Sequence, residues 1–423
     1  MRWKKQKQLN KTEKRYIMKQ AIIRNICDRH PEATPTQRIT KNKVVALRCY
    51  KQPDVVIARF GAKSKMLRRQ TNGHPGIGPG WRFAKNKIIQ ILCIICCFIL
   101  PTGCIGEDKY ADDPMGNFEQ LWKIIDEHYC FLDEKGIDWD AVHTQYKKMI
   151  IPQMTHEDLF TKLSEMLAVL KDGHVNLSSS SLTSFYDAHY QDYPWNFRED
   201  ILYRHYLGKA SSDYRTAAGL KYKIFDNNIG YIRYGSFNSG VGNGNLDEAL
   251  SYLSVCNGLI IDVRDNGGGE LTNSTRIAAR FTNEKVLTGY IRHKTGPGHS
   301  DFSEPKPIYL EPSNSIRWQK KVVLLTNRRC YSATNDFVNA MRSIESGKII
   351  QLGDRTGGGS GLPFSSELPN GWSIRFSACP HYDKNMQSIE DGIAPHITVH
   401  MLPEDELKNK DTLIEEAFKV LSQ

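Results

Sequence analysis

The spacing of apolar and polar positions divides the chain into regions of different character. The first strong signal is Ile88 to Leu100 (IIQILCIICCFIL), 13 residues with one polar member. Helical spacing begins later, where Phe118, Leu121, Trp122 and Ile125 recur behind an Asn117 cap. A second helix is expected from about Trp139. A third follows Thr155, with Asp158 in the capping-box place and an apolar face of Leu159, Leu163, Met166, Leu167 and Leu170. It is expected to stop at Gly173. Residues 178–219 carry Ser, Tyr and Asp with no clear period. From Leu220 the period changes. KYKIF, a turn at Asp226-Asn227-Asn228 and IGYIRY predict a hairpin. The pattern then predicts a helix near 245–254, a strand at 258–264, a glycine turn, a helix at 271–281, strands near 286–292 and 321–326, a helix at 333–345 and a strand at KIIQL. Such alternation predicts an α/β sheet with crossover helices, entered from a helical subdomain at 117–177 and a connecting segment at 178–219.

Charge sharpens this division. Residues 1–104 carry 23 Lys and Arg against 4 Asp and Glu, whereas the remainder carries 34 against 43. The formal net charge of +10 therefore belongs to the leader, and the folded part is mildly acidic. That balance gives no electrostatic reason to expect nucleic acid as a partner. The 13-residue apolar run behind Arg82, Lys85 and Lys87 is short for a membrane span and suits a signal-peptide core. It exits through Pro-Thr-Gly to Cys104, which resembles the lipobox of bacterial lipoproteins, although Pro101 holds the usual leucine place. The resemblance implies lipidation at Cys104, a tether over 105–116, export, and anchoring in a bacterial envelope. The alternative is a short uncleaved anchor. Residues 1–81 are expected to lie outside the mature protein, through a reading frame extended upstream of the true start.

Of ten cysteines, only Cys130, Cys256, Cys330 and Cys379 follow Cys104, and no Cys-x-x-Cys pair occurs among them. This argues against a zinc site or a disulfide scaffold. No metal or cofactor is expected.

Four short stretches could carry chemistry. In I-I-D-V-R-D-N-G-G-G-E (260–270) a strand runs into Gly267, Gly268 and Gly269, whose backbone can approach a ligand and point N–H groups at it. In N-R-R-C-Y-S-A-T-N-D-F (327–337) Ser332 stands between a strand and a helix. It is either an N-cap or a nucleophile, with Ala333 N–H beside it. In L-K-D-G-H-V-N-L (170–177) His174 follows the helix-ending glycine; a loop imidazole suits general base work but is commonly just solvated. In S-I-E-D-G-I-A-P-H-I-T-V (388–399) Glu390 could orient a histidine or be solvated.

Taken in order, D-V-R-x-N-x-G-G, the later strand–Ser-Ala–helix and the I-G-Y-I-R-Y-x-S-F hairpin resemble the S41 peptidases, the C-terminal processing (tail-specific) proteases and the tricorn core. The resemblance covers about 117–405. It implies a ClpP/crotonase-like α/β core of ββα units, a catalytic domain over 220–423, and peptide or protein substrates. It further implies Ser332 as nucleophile and an oxyanion hole from Ala333 with Gly268 or Gly269. One branch of the family uses a lysine base in a G-x-x-T-x-G-K-G loop; here that loop reads G-D-R-T-G-G-G-S and Gly359 holds the lysine place. Arg355 cannot substitute, because it does not deprotonate at useful pH. The tricorn-like branch uses serine, histidine and glutamate, and His174 and Glu390 match those places. Asn335 stands where the family has glutamate, and His396 where it has aspartate. The 42-residue connecting segment 178–219 is short for a PDZ domain. Tyr186, Tyr190, Tyr193 and Trp195 within it are expected in a substrate groove or in the core. Two alternatives are a catalytically silent binder on this fold and acyl-transfer or esterase chemistry at the same serine.

Overall fold

The computed structural model describes residues 110–423 except 189, 190, 192 and 346. The expected leader and signal sequence, Cys104 and residues 105–109 of the expected tether lie outside the described residues.

The described residues open with three helices, α1 (Pro114–His128), α2 (Trp139–Lys147) and α3 (His156–Ala168). α1 starts before the expected Asn117, because the Asp113 carboxylate caps Gly116 N–H at 2.7 Å and Pro114 suits the first turn. Thr155 caps α3 as expected, accepting Asp158 N–H at 3.1 Å. That helix ends at Ala168, and Lys171 rather than Gly173 takes a left-handed conformation (φ 48°). After β1 (Asn176–Ser178), a short helical stretch (Glu199–Leu207) leads to β2 (Arg215–Ala217), β3 (Leu220–Ile224) and β4 (Ile229–Tyr234). Then come α4 (Asn243–Leu253), β5 (Gly258–Asp262), α5 (Leu271–Ala278), β6 (Val286–Ile291), β7 (Lys306–Leu310), β8 (Val322–Thr326) and α6 (Ala333–Ser343). The chain closes through β9 (Ile349–Gly353), β10 (Gly361–Glu367), β11 (Ser373–Asp383), β12 (Ile397–Thr398), α7 (Pro403–Leu407) and α8 (Thr412–Ser422).

Seven strands form the main sheet in the order β12-β9-β8-β5-β4-β3-β2. The pairs from β4 through β12 are parallel, and β2-β3-β4 are antiparallel. Both faces are covered, which is why GLIID and VVLLT read as continuous apolar runs. Leu259, Ile261, Val322 and Leu324 pack with α4, α5 and α6 on one face; Ile260, Val323 and Leu325 pack with α8 on the other. Truncating fully buried Leu324 to alanine would cost about 2–5 kcal/mol.

The D-V-R part of the glycine motif is structural. Arg264, fully buried, binds Asp262 at 2.6 Å and the α8 cap residue Asp411 at 3.0 Å. It thereby pins the C-terminal helix to β5.

Of the second sheet, β1-β11-β6-β7 with β10 on β11, the pattern marks only β6, the strand expected near 286–292. Residues 374 and 376–381 of β11 are buried, so the period-two signal is lost. This sheet supplies Ile374, Phe376 and Ala378 to one core with Phe118, Leu121, Leu163 and Met166. The expected division at 178–219 is therefore joined in space: the helical layer has no separate core.

Candidate active site

Three loops at the carboxyl ends of neighbouring parallel strands converge, where open α/β sheets place their ligands. The loop after β5 carries the glycines, the loop after β8 carries Ser332, and the loop after β9 carries Gly357–Ser360. Backbone bonds lace them together: Tyr331 N–H donates to Asn266 C=O at 3.1 Å and Ser332 N–H to Gly358 C=O at 2.9 Å.

Ser332 is not a helix cap. Its side chain makes no capping bond, and its backbone sits at φ 57°, ψ −125°. A positive φ at a non-glycine residue costs energy that the surrounding loops must hold. The resulting sharp turn aims Oγ away from α6 and toward His174, whose Nε2 lies 2.9 Å away. Thus the structure brings Ser332 and His174 together across 158 residues of sequence.

His174 is held by its own loop. Its backbone N–H donates to Asp172 Oδ1 at 2.7 Å, and Ser377 Oγ on β11 donates to Asp172 Oδ2 at 2.7 Å. Burial drives the imidazole down to about 4; Asp172 opposes that and nearby Arg375 adds to it. The ring is therefore neutral at pH 7, as a base must be. Burial raises Asp172, but Lys135, His174 and the Ser377 hydroxyl together hold it below its ordinary value. His174 Nδ1 meets no carboxylate, and the Gly361 backbone beside the ring favours its protonated form.

Glu390 departs from the expected orienting role. Its Oε1 lies 3.0 Å from Lys135 Nζ, and its Oε2 accepts Ser360 N–H at 2.8 Å. Both oxygens are occupied, and neither bonds His174. Burial and the Asp172 charge push the Glu390 carboxyl up to about 8, with Lys135 opposing. Lys135 comes from the turn after α1 and also donates to Leu170 C=O at 3.2 Å, at the end of the helix that leads to His174. Glu390 thus sits in a buried charge cluster behind the site. Asp172, in the same K-D-G-H stretch as His174, is the carboxylate on the histidine loop.

The two glycines differ. Gly268 (φ 100°) packs on the nucleophile turn, where an added Cβ would lie 2.9 Å from Ser332 Cβ. Its N–H is taken by Asn266 Oδ1 at 2.9 Å. Among the described residues no acceptor takes Gly269 N–H, and Ala333 N–H, in the first turn of α6, is likewise open.

The positions that depart from the S41 pattern have structural reasons. A Cβ at Gly359 would meet the Tyr331 ring at 2.4 Å, so no lysine fits there. Asn335 is fully buried, donating to Ile389 C=O at 2.9 Å and accepting Thr356 Oγ1 at 2.6 Å. His396 bonds Gln351 of β9 through both its backbone and its ring. None of these touches the Ser332–His174 pair. In the connecting segment, Trp195 is exposed over Arg329 and Tyr193 lies half-buried over Arg328; Tyr190 is outside the described residues. The four described cysteines are free and buried. Among the described residues no cluster is arranged to hold a metal ion.

Known proteins resemble this chain in sequence and in fold. The model of peptidase family S41 matches residues 228–399, and that of the tricorn protease C1 domain matches residues 110–168. The crystal structure of a candidate peptidase from Parabacteroides merdae is 53% identical, with a TM-score of 0.70, over 74% of this chain and 97% of that one. Mature CPAF complexed with lactacystin is 10% identical with a TM-score of 0.56, over 74% and 98%, a likeness of fold alone. The chloroplastic C-terminal processing peptidase of Tetradesmus obliquus is 25% identical over 182 residues, 42% of this chain and 37% of that protein. The match therefore spans little more than a third of that relative.

Proposed function

The chain belongs to peptidase family S41, and from that premise we propose that it is a serine peptidase acting through an acyl-enzyme on Ser332. The observation that carries this reading is the strained Ser332 turn with its Oγ 2.9 Å from a buried, neutral His174. Ser332 Oγ attacks the scissile carbonyl carbon while its proton passes to His174 Nε2. The developing oxyanion is met by Ala333 N–H and Gly269 N–H, reinforced by the N-terminus of α6. His174 then gives the proton to the leaving amine, and the C–N bond breaks. In the second half, His174 deprotonates a water that attacks the ester, and Ser332 regains its proton. Asp172 stabilises the transient imidazolium by charge and fixes the loop through His174 N–H. Lys135 and Glu390 brace that loop from behind.

Peptide and ester turnover by the wild type and Ser332→Ala tests the reading. Hydrolysis of peptides that disappears in the variant supports it. Ester turnover without peptide cleavage favours acyl transfer on another substrate, and peptide binding without turnover favours a silent binder. We further propose that Cys104 is lipidated, and that the protein acts at a bacterial envelope membrane. Incorporation of labelled palmitate, lost in Cys104→Ala, is the corresponding test.

A further inference from the structure

Two cavities flank Ser332, one of about 250 Å³ and one of about 520 Å³. Arg375 of β11 lines both. It is held there by register, since it faces Asn176 of β1 just after His174. Its Nη1 donates to Asn176 Oδ1 at 3.2 Å, an uncharged acceptor. Among the described residues no carboxylate lies within ion-pair distance of Arg375. By contrast, buried Arg264 and Arg280 each hold an aspartate. A half-buried guanidinium with no carboxylate in contact is costly: burial lowers its pKa, and Tyr331 and the more distant Asp172 oppose this only in part.

A second donor stands in the smaller cavity. His381, farther along β11, is nearly fully buried; its Nδ1 lies 3.1 Å from Asp336 Oδ1 and its Nε2 has no partner. Burial lowers its proton affinity, but Asp336 outweighs this and favours the charged ring. Charged, the ring offers an Nε2–H with no acceptor. The carboxylates lining the same cavity are Asp336, already occupied by His381, and exposed Glu270.

Resting on the assignment of Ser332 as nucleophile, we propose that this cavity is a subsite for a substrate carboxylate next to the scissile bond, bound by Arg375 and closed by His381. The carboxylate is an acidic side chain or the terminal carboxylate of a short peptide. Binding it neutralises the Arg375 charge that opposes protonation of His174. An acidic substrate therefore gains in kcat as well as in KM.

The test uses the purified protein and paired peptides. One series exchanges Gln for Glu at each position around the cleavage site; the other exchanges a C-terminal amide for the free acid. At least one pair is expected to favour the carboxylate by about tenfold or more in kcat/KM, as a charge-assisted hydrogen bond in a half-buried site supplies. A preference in the first series assigns a side chain, and one in the second assigns the terminus; either supports the proposal. In Arg375→Gln the ratio within that pair falls to about one, and in His381→Gln it falls part of the way. Because the readout is a ratio within one variant, partial misfolding does not imitate it. Equal rates for every pair in the wild type, or an unchanged ratio in Arg375→Gln, overturns the subsite. If Ser332 takes up a fluorophosphonate while all pairs react equally, the subsite falls and the nucleophile stands. If nothing labels and nothing turns over, the nucleophile assignment falls; equal Kd values for the paired peptides would then overturn the subsite too.

Discussion

The two halves of the site are built by different physics. The Ser332 half is made of backbone: a strained turn, two open N–H groups, a helix N-terminus, and glycines where any side chain would collide. The His174 half is made of buried side chains: Asp172, Ser377, Lys135 and Glu390 surround one loop and set its charge. The first half needs contacts among three neighbouring loops of one sheet. The second needs the helical layer, because Lys135 and His174 both come from it while Glu390 and Ser377 come from the far end of the chain. The difference teaches that the helical layer builds part of the candidate site rather than merely covering it.

Breaking the centre of each half should have the largest effect. Ser332→Ala and His174→Ala are each expected to lower kcat by about 10³-fold or more with folding intact, as judged by unchanged thermal unfolding. A smaller loss of about 10–100-fold in kcat is expected for Asp172→Asn, whose imidazolium is less stabilised. Because Asp172 raises the His174 pKa, the acid limb of its kcat/KM profile should move to lower pH. In the wild type that limb should lie near 4, well below the ordinary 6.5, and Arg375→Gln should move it upward.

Lys135→Met sharpens the comparison. It leaves every atom of the Ser332 half in place and removes the cation beside the Asp172 carboxylate and the Glu390 carboxyl group. A kcat loss of about tenfold is expected, with KM little changed and partial recovery in Lys135→Arg. A variant equal to wild type in rate and pH profile would make the Lys135 contact merely structural.

The smallest effect concerns stability. The folded-state pKa of Glu390 is raised from 4.5 to about 8, so its contribution is fully present below 4.5 and is lost as pH rises through about 8. Across that window the wild type should lose up to about 1 kcal/mol per pH unit relative to Glu390→Gln, read as a Tm difference that grows with pH. His174 slopes the other way between 6.5 and about 4, since its depressed pKa withdraws stability as pH falls. The difference between wild type and Glu390→Gln therefore isolates Glu390.

Legibility in the sequence follows the same line. The glycine run, the strand–Ser-Ala–helix joint and the hairpin are local signals, and they located the backbone half and the parallel core. His174 is legible through its K-D-G-H setting, whereas Asp172 beside it is not, since a helix-end aspartate usually caps or solvates. Lys135 carried no signal at all: its partner Glu390 is 255 residues away, and only the fold brings them to 3.0 Å. The position of Glu390 points to the histidine as its partner, whereas packing supplies Lys135 and Ser360. The second sheet is legible only at β6, because burial on both faces of β11 erases the alternation of its central strand.

The most direct test of the central claim is the intact mass of the purified protein after fluorophosphonate treatment, beside Ser332→Ala and Lys135→Met. One adduct is expected on the wild type, none on Ser332→Ala, and a slowed single adduct on Lys135→Met. Absence of any adduct on the wild type, or equal labelling of Ser332→Ala, would contradict an activated Ser332.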